Sequence, residues 1–133
     1  MMSGIRGRDT KPEMQVRQWL HGQGFRFRLH QKKLPGTPDI VLPRFGVVIF
    51  VHGCFWHRHA GCRYATTPAT RAEFWQEKFA MNLRRDARDR AALIAQQWRV
   101  LVIWECGLRR RQDLAPVAAW IEESLDAEAE WPF

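Results

Sequence analysis

The chain has 133 residues, with 21 Lys plus Arg against 14 Asp plus Glu and a formal net charge of +7. That length suits one domain with one sizeable core. The excess of base, mostly arginine, favours a phosphate-bearing partner but does not by itself separate a nucleic-acid binder from a membrane-surface protein or a toxin.

No apolar run approaches the roughly 20 residues of a membrane-spanning helix. Residues 1–6 lack the apolar core of a secretory signal, so a soluble intracellular protein is expected. In chain order, Thr10-Lys11-Pro12-Glu13 is a helix start, with a Thr cap, an early Pro and a Glu placed to bond back to the cap. Val16, Trp19 and Leu20 give this helix an apolar stripe, and Gly22 and Gly24 end it. Phe25, Phe27 and Leu29 alternate with Arg26, Arg28 and His30, which predicts a strand with one basic face. Residues 32–38 are a loop by composition. Residues 40–42 and 47–51 predict two strands turned by Pro43-Arg44-Phe45-Gly46. The second is apolar throughout and therefore central, covered on both faces. Thr70-Arg71-Ala72-Glu73 repeats the capping pattern ahead of a long helix over 71–97. Phe74, Phe79, Leu93 and Ile94 are its expected core contacts, and its charged middle, 84–90, is expected to face solvent or phosphate. Residues 99–104 predict a buried strand, with Trp98 and Trp104 as core aromatics, and 114–125 a closing amphipathic helix. With no repeat or linker in the series, one α/β domain over 1–133 is expected.

Three cysteines, Cys54, Cys62 and Cys106, exclude a fully paired disulfide framework and fit a reducing compartment. Cys54, a histidine, Cys62 and Cys106 could supply four N/S ligands, a set that suits tetrahedral structural zinc with no open position. Spacing does not choose between His57 and His59 for the histidine. The plainer reading is three small buried cysteines and exposed histidines.

Several residues could carry chemistry. Asp39 opens a strand after a loop, where a hard oxygen ligand for Mg²⁺ would serve phosphoryl chemistry, although Pro-Asp is also a common turn pair. His52 and His57 are candidate general bases, since imidazole titrates near neutral pH, although lone histidines are more often polar surface. Glu13 already has a structural reason to be present, in the capping box with Thr10.

Four blocks together resemble the very short patch repair (Vsr) DNA mismatch endonucleases. They are Leu34-Pro35-Gly36-Thr37-Pro38-Asp39, Val48-Ile49-Phe50-Val51-His52-Gly53-Cys54-Phe55-Trp56-His57, Pro68-Ala69-Thr70-Arg71-Ala72-Glu73-Phe74-Trp75, and Trp98-Arg99-Val100-Leu101-Val102-Ile103-Trp104-Glu105-Cys106. The resemblance implies a restriction-endonuclease-like fold, with a central mixed β-sheet flanked by helices and a structural zinc site. It implies Mg²⁺-dependent nicking of double-stranded DNA 5′ of the thymine in a T·G mismatch left by deamination of 5-methylcytosine. Asp39 and the backbone carbonyl of Val51 would hold Mg²⁺. His57 would be the general base, with Glu13 orienting it and His52 assisting. Zinc would sit on Cys54, His59, Cys62 and Cys106. Phe55, Trp56 and Trp75 would form a wedge entering the base stack, which unstacks most cheaply at a mismatch; core packing is the alternative for each of the three. A bacterial cytoplasmic monomer associated with the nucleoid through DNA follows, and a MutL-type repair protein and a companion cytosine-5 methyltransferase are open as partners.

The chain departs from the family pattern in several places. Val51 replaces a Thr, one extra residue lies between His59 and Cys62, and Gln97 stands where a Gly often precedes the Trp. The N-terminal arm, about 1–9, is short for the family. Two other readings compete: a zinc-stabilised DNA-binding module without cleavage, and another nuclease on the same fold.

Overall fold

Residues 9–133 are described by the structure, a computed structural model, so the expected N-terminal arm lies outside the described residues except for Asp9. Helix α1 (Lys11–Gly22) starts where the capping pattern places it, with the Thr10 hydroxyl accepting the Glu13 N–H at 3.4 Å. Strands β1 (Arg28–Leu29), β2 (Ile40–Leu42) and β3 (Val47–His52) follow. A one-turn 3-10 segment at Pro43–Phe45 connects β2 to β3, closed by Gly46 at φ 65°. Helix α2 (Ala72–Ala95) leads to strand β4 (Arg99–Trp104), short helix α3 (Glu105–Arg109), helix α4 (Ala115–Glu123) and strand β5 (Glu128–Trp131). The sheet order is β1-β2-β3-β4-β5. β1 to β3 are antiparallel neighbours, while β4 runs parallel to both β3 and β5.

The apolar runs of β3 and β4 are continuous because both faces of these strands are covered. On one face Val47, Ile49, Leu101 and Ile103 pack with Val16 and Leu20 of α1 and Val117, Trp120 and Ile121 of α4. On the other, Val48 and Val100 pack against Leu93 of α2, and Val102 and Trp104 pack with Cys54 and Cys106. Burying one such aliphatic side chain contributes roughly 1.5–3 kcal/mol, so this double-sided sheet is the main source of stability. Arg99 ties α4 to it by donating to the carbonyls of Trp120, Ile121, Ser124 and Phe45 at 2.8–3.2 Å, filling acceptors left open at the helix C-terminus.

Four expectations differ from the fold. The strand expected from Phe25 is paired only over Arg28–Leu29, because the Phe25 N–H still bonds to Leu20 O at the exit of α1. Thr70 does not cap α2; Arg71 takes that position at φ 57° with no side-chain cap. Phe74 is 44% exposed rather than in the core. Strand β5 was not expected. It is a short edge strand with outward Glu128 and Glu130, anchored by Trp131 at 2% exposure. Trp131 lies so close to α3 that a Cβ at Gly107 would come within 2.5 Å of its ring, so only glycine fits there. Gln97 has φ 71°: it follows the end of α2 in the left-handed conformation that glycine adopts without strain.

Candidate active site and metal-binding cluster

Asp39 precedes β2, and the antiparallel register sets it beside β3, where its carboxylate accepts the Val51 N–H at 2.7 Å. Burial pushes the Asp39 carboxyl up to about 7; the Val51 hydrogen bond opposes this shift and neighbouring Glu13 adds to it. Glu13 is only 2% exposed and its carboxylate accepts from Arg17 and from His30, the latter at 2.8 Å. Arg17 also donates to Asp9 at 2.6 Å.

Across the sheet, His52 ends β3 on the face opposite α1, and the His57 ring stacks on it at 3.7 Å and 4°. His52 is buried and its Nδ1 has no hydrogen-bond partner among the described residues. Burial, with His57 and Arg90 nearby, holds its pKa well below the ordinary imidazole value, so its ring is neutral. The His57 Nδ1 lies 2.6 Å from the Asp86 carboxylate on α2. Asp39, His52, His57, Asp86, Arg85 and Arg88 line one cleft of about 630 Å³.

The carboxylate that holds His57 is therefore Asp86 and not Glu13. α1 packs on one sheet face and His57 stacks on His52 over the other, so Glu13 lies by Asp39, whose carboxyl it helps to raise, rather than by His57. Sequence reasoning did not single out Asp86, His30 or Arg17. Asp86 carried a usable signal: it is seven residues from Phe79 and seven from Leu93, both buried, which places all three on the inward face of α2.

The loop after β3 brings Cys54, His59 and Cys62 to Cys106 on α3, with ligand atoms all within 4.8 Å of one another. His59 Nδ1 lies 3.8 Å from Cys54 Sγ and 3.4 Å from Cys106 Sγ, close to the edge lengths of a tetrahedron built on Zn–S of about 2.3 Å and Zn–N of about 2.0 Å. His59 lies flat on Trp104 at 4.2 Å, which fixes its ring plane. Burial pushes the Cys54 thiol up to about 12. Such a thiol becomes a thiolate only beside a cation. The geometry selects His59 over His57 for this cluster and accounts for all three free cysteines.

Phe55 and Trp56, between the cluster ligands, pack on α2. Phe55 meets Trp56, Trp75 and Phe79 at 4.8, 5.8 and 5.2 Å, and Trp56 meets Trp75 at 5.7 Å. Phe55, Trp56 and Trp75 are half-buried, and Asn82 donates to Trp56 O at 3.3 Å.

A desolvated carboxylate and a carboxylate-held imidazole in one arginine-lined cleft are the equipment of a nuclease, since a phosphodiester needs its charge met and its attacking water deprotonated. The comparisons with known proteins agree. The family model described as DNA mismatch endonuclease Vsr matches residues 1–63. The Type II nicking enzyme V.XorIIP of Xanthomonas oryzae pv. oryzae is 49% identical over 126 residues, covering 95% of this chain and 90% of that protein. The DNA mismatch endonuclease Vsr of Escherichia coli (strain K12) is 48% identical over 117 residues, covering 88% and 74%. The Type II nicking enzyme V.NmeAIP of Neisseria meningitidis serogroup A is 40% identical over 111 residues, covering 84% and 79%. The chain belongs to the Vsr endonuclease family. Among the described residues no helix is long and apolar enough to cross a membrane.

Proposed function

We propose that this endonuclease nicks one strand of duplex DNA 5′ of the thymine in a T·G mismatch, the lesion left by deamination of 5-methylcytosine, and so initiates very short patch repair on a restriction-endonuclease-like scaffold. The observation that carries the reading is the His57–Asp86 pair facing Asp39 across one cleft, 18 residues of chain after the carboxylate.

Asp39 and the Val51 carbonyl are hard oxygen donors of the kind Mg²⁺ takes. An Asp39 carboxyl desolvated beside a second carboxylate fits a cation, whose charge would relieve that arrangement. When bound, Mg²⁺ supplies neutralisation of phosphate charge and a lower pKa for water. The protein's own contribution is positional. Asp86 accepts from His57 Nδ1–H, which leaves Nε2 as the acceptor for a water proton. His52, neutral and stacked beneath, holds the His57 ring plane and avoids a second positive charge beside it. Arg85 and Arg88 line the cleft where phosphate would enter. Phe55, Trp56 and Trp75 present a half-exposed aromatic edge suited to entering a weakened stack. The Cys54–His59–Cys62–Cys106 donor set suits structural zinc. A monomer in the bacterial cytoplasm, held to the nucleoid by DNA and working with a MutL-type protein and a companion cytosine-5 methyltransferase, completes the reading.

The test is nicking of a labelled duplex carrying one T·G mismatch in a CT(A/T)GG context, with Mg²⁺ or EDTA, beside the matched duplex. A Mg²⁺-dependent nick 5′ of the mismatched T is expected. Tight binding without a nick would favour the DNA-binding module, and equal cutting of the matched duplex would favour another nuclease activity.

Asp86→Asn is expected to slow nicking by about 10²-fold, the scale of a general-base contribution, with KM little changed. An unchanged kcat would remove Asp86 from the mechanism.

A further inference from the structure

Arg58 lies between His57 and His59 and has no role in the site as described so far. Its guanidinium nevertheless joins three separate pieces of chain. One terminal nitrogen donates to the Phe55 carbonyl at 3.1 Å and the Thr66 carbonyl at 2.8 Å. The other donates to the Ala65 carbonyl and the Thr67 hydroxyl, each at 3.0 Å. The same group lies 3.9 Å from the centroid of the Phe79 ring on α2 and 5.7 Å from that of Phe55. The residue sits at φ 55°, a left-handed backbone uncommon for a residue other than glycine.

This contact set has a directional consequence. Phe79, under Arg58, and Asp86, on His57, are two turns apart on the same helix. The aromatic loop and the imidazole are thus registered against one rigid base, the first through Arg58 and the second through Asp86. The planar fork of arginine can serve four acceptors and stack on a ring at once, whereas a lysine ammonium is a single point charge.

Resting on the function proposed above, we infer that Arg58 is a positioning residue for mismatch specificity: it fixes Phe55 and Trp56 relative to His57, so that insertion beside a mismatched base aligns the phosphate with the base that deprotonates water. Without it the rings still offer apolar surface to DNA, but their insertion no longer sets the register of the cut. Discrimination is lost while general affinity for duplex is retained.

The probe is a short duplex with one T·G mismatch and 2-aminopurine beside the mismatched T, compared with its matched counterpart. Wild type, Arg58→Met, Arg58→Lys and Trp56→Ala are measured for 2-aminopurine fluorescence on binding, kcat and KM on each duplex, metal content and melting. Arg58→Met is expected to lose about tenfold or more of the T·G-over-matched ratio of kcat/KM. It also loses the fluorescence rise that reports unstacking, as Trp56→Ala does, while matched-duplex affinity stays within about threefold. Arg58→Lys likewise keeps affinity and does not restore discrimination, because an ammonium cannot serve the four acceptors and the ring at once. Phe79→Leu, which removes the stacking partner and leaves the loop bonds, shifts the ratio in the same direction and decides the matter if Arg58→Met does not fold. Wild-type discrimination and fluorescence in folded Arg58→Met, or in Phe79→Leu, would overturn the inference. A wild type that binds and unstacks the probe without nicking would overturn only the nicking reading, and the fluorescence comparison would still decide the role of Arg58.

Discussion

Asp39→Asn is expected to abolish Mg²⁺-dependent nicking and, in the same protein, to raise stability at pH 8 in the absence of Mg²⁺. The first effect follows from losing an anionic oxygen ligand, worth several kcal/mol of transition-state stabilisation, or on the order of 10³-fold in rate. The second follows from the raised pKa. A carboxyl whose folded-state value is about 7, against an ordinary value of 3.8, favours folding while protonated. Its contribution is fully present below the ordinary value and is lost as pH rises through about 7. At pH 8 the wild type therefore carries a partly buried anion beside Glu13, while Asn keeps an acceptor for the Val51 N–H without the charge. The expected gain is about 2 kcal/mol, less than the full shift implies because Asp39 is only partly buried. Melting at pH 5.5 and pH 8, with and without Mg²⁺, separates the cases. Wild type should gain stability from Mg²⁺ mainly at the higher pH, and Asp39→Asn should gain none. An Asp39→Asn protein that Mg²⁺ still stabilises would place the ion elsewhere; one that still nicks would remove Asp39 from the chemistry.

Much of this site was legible in the chain because its residues belong to short, strongly patterned segments. Val47–His52 and Arg99–Trp104 are apolar runs whose only buried fate in a small α/β domain is the centre of the sheet, and both are there. Cys54, His59 and Cys62 are close in sequence and follow a central strand, so one loop carries all three to Cys106. What remained hidden depends on contacts between distant elements. Asp86 sits in an Arg/Asp run whose charges look alike in sequence, yet Asp86 meets His57 while Arg90 turns to Glu128 and Glu130 at 3.7 and 4.0 Å. Glu13 fitted a capping box so well that its burial against Arg17 and His30 gave no separate signal. Strand β5 is four residues long and half glutamate, and its place is set by Trp131 against Gly107 rather than by any preference for strand. Phe74 fits the apolar rhythm of α2 but stays 44% exposed, edge-to-face against Trp75 and beneath the Arg71 guanidinium.

Removing the ion proposed for the Cys54–His59–Cys62–Cys106 cluster is expected to cost more than a local loosening. The cluster joins the end of β3, the loop over 53–64 and α3, and its ligands bracket Phe55, Trp56 and His57. Cys54 is fully buried and Cys106 nearly so, and they pack with Val102 and Trp104 in the third apolar cluster. Without a metal these thiols can stay neutral and buried, so that apolar cluster can survive in part. The four-way tie that fixes the loop cannot, and binding free energy at a structural site is folding free energy. The expected result is one zinc per chain, a fall in melting temperature of roughly 10–20 °C on chelation, and loss of nicking before global unfolding. Cys106→Ser should reproduce the loss, since it removes the only ligand from outside the loop. Cys62→Ser should be milder, because Cys62 is the most exposed of the three cysteines and only borders the apolar cluster that Cys54 and Cys106 help to form. Zinc release followed by a chromogenic chelator, with melting recorded on the same samples, checks both. A metal-free preparation with unchanged melting and full activity would mean that the four donors meet only as packed side chains, and that the loop is held by Arg58 and the aromatic contacts alone.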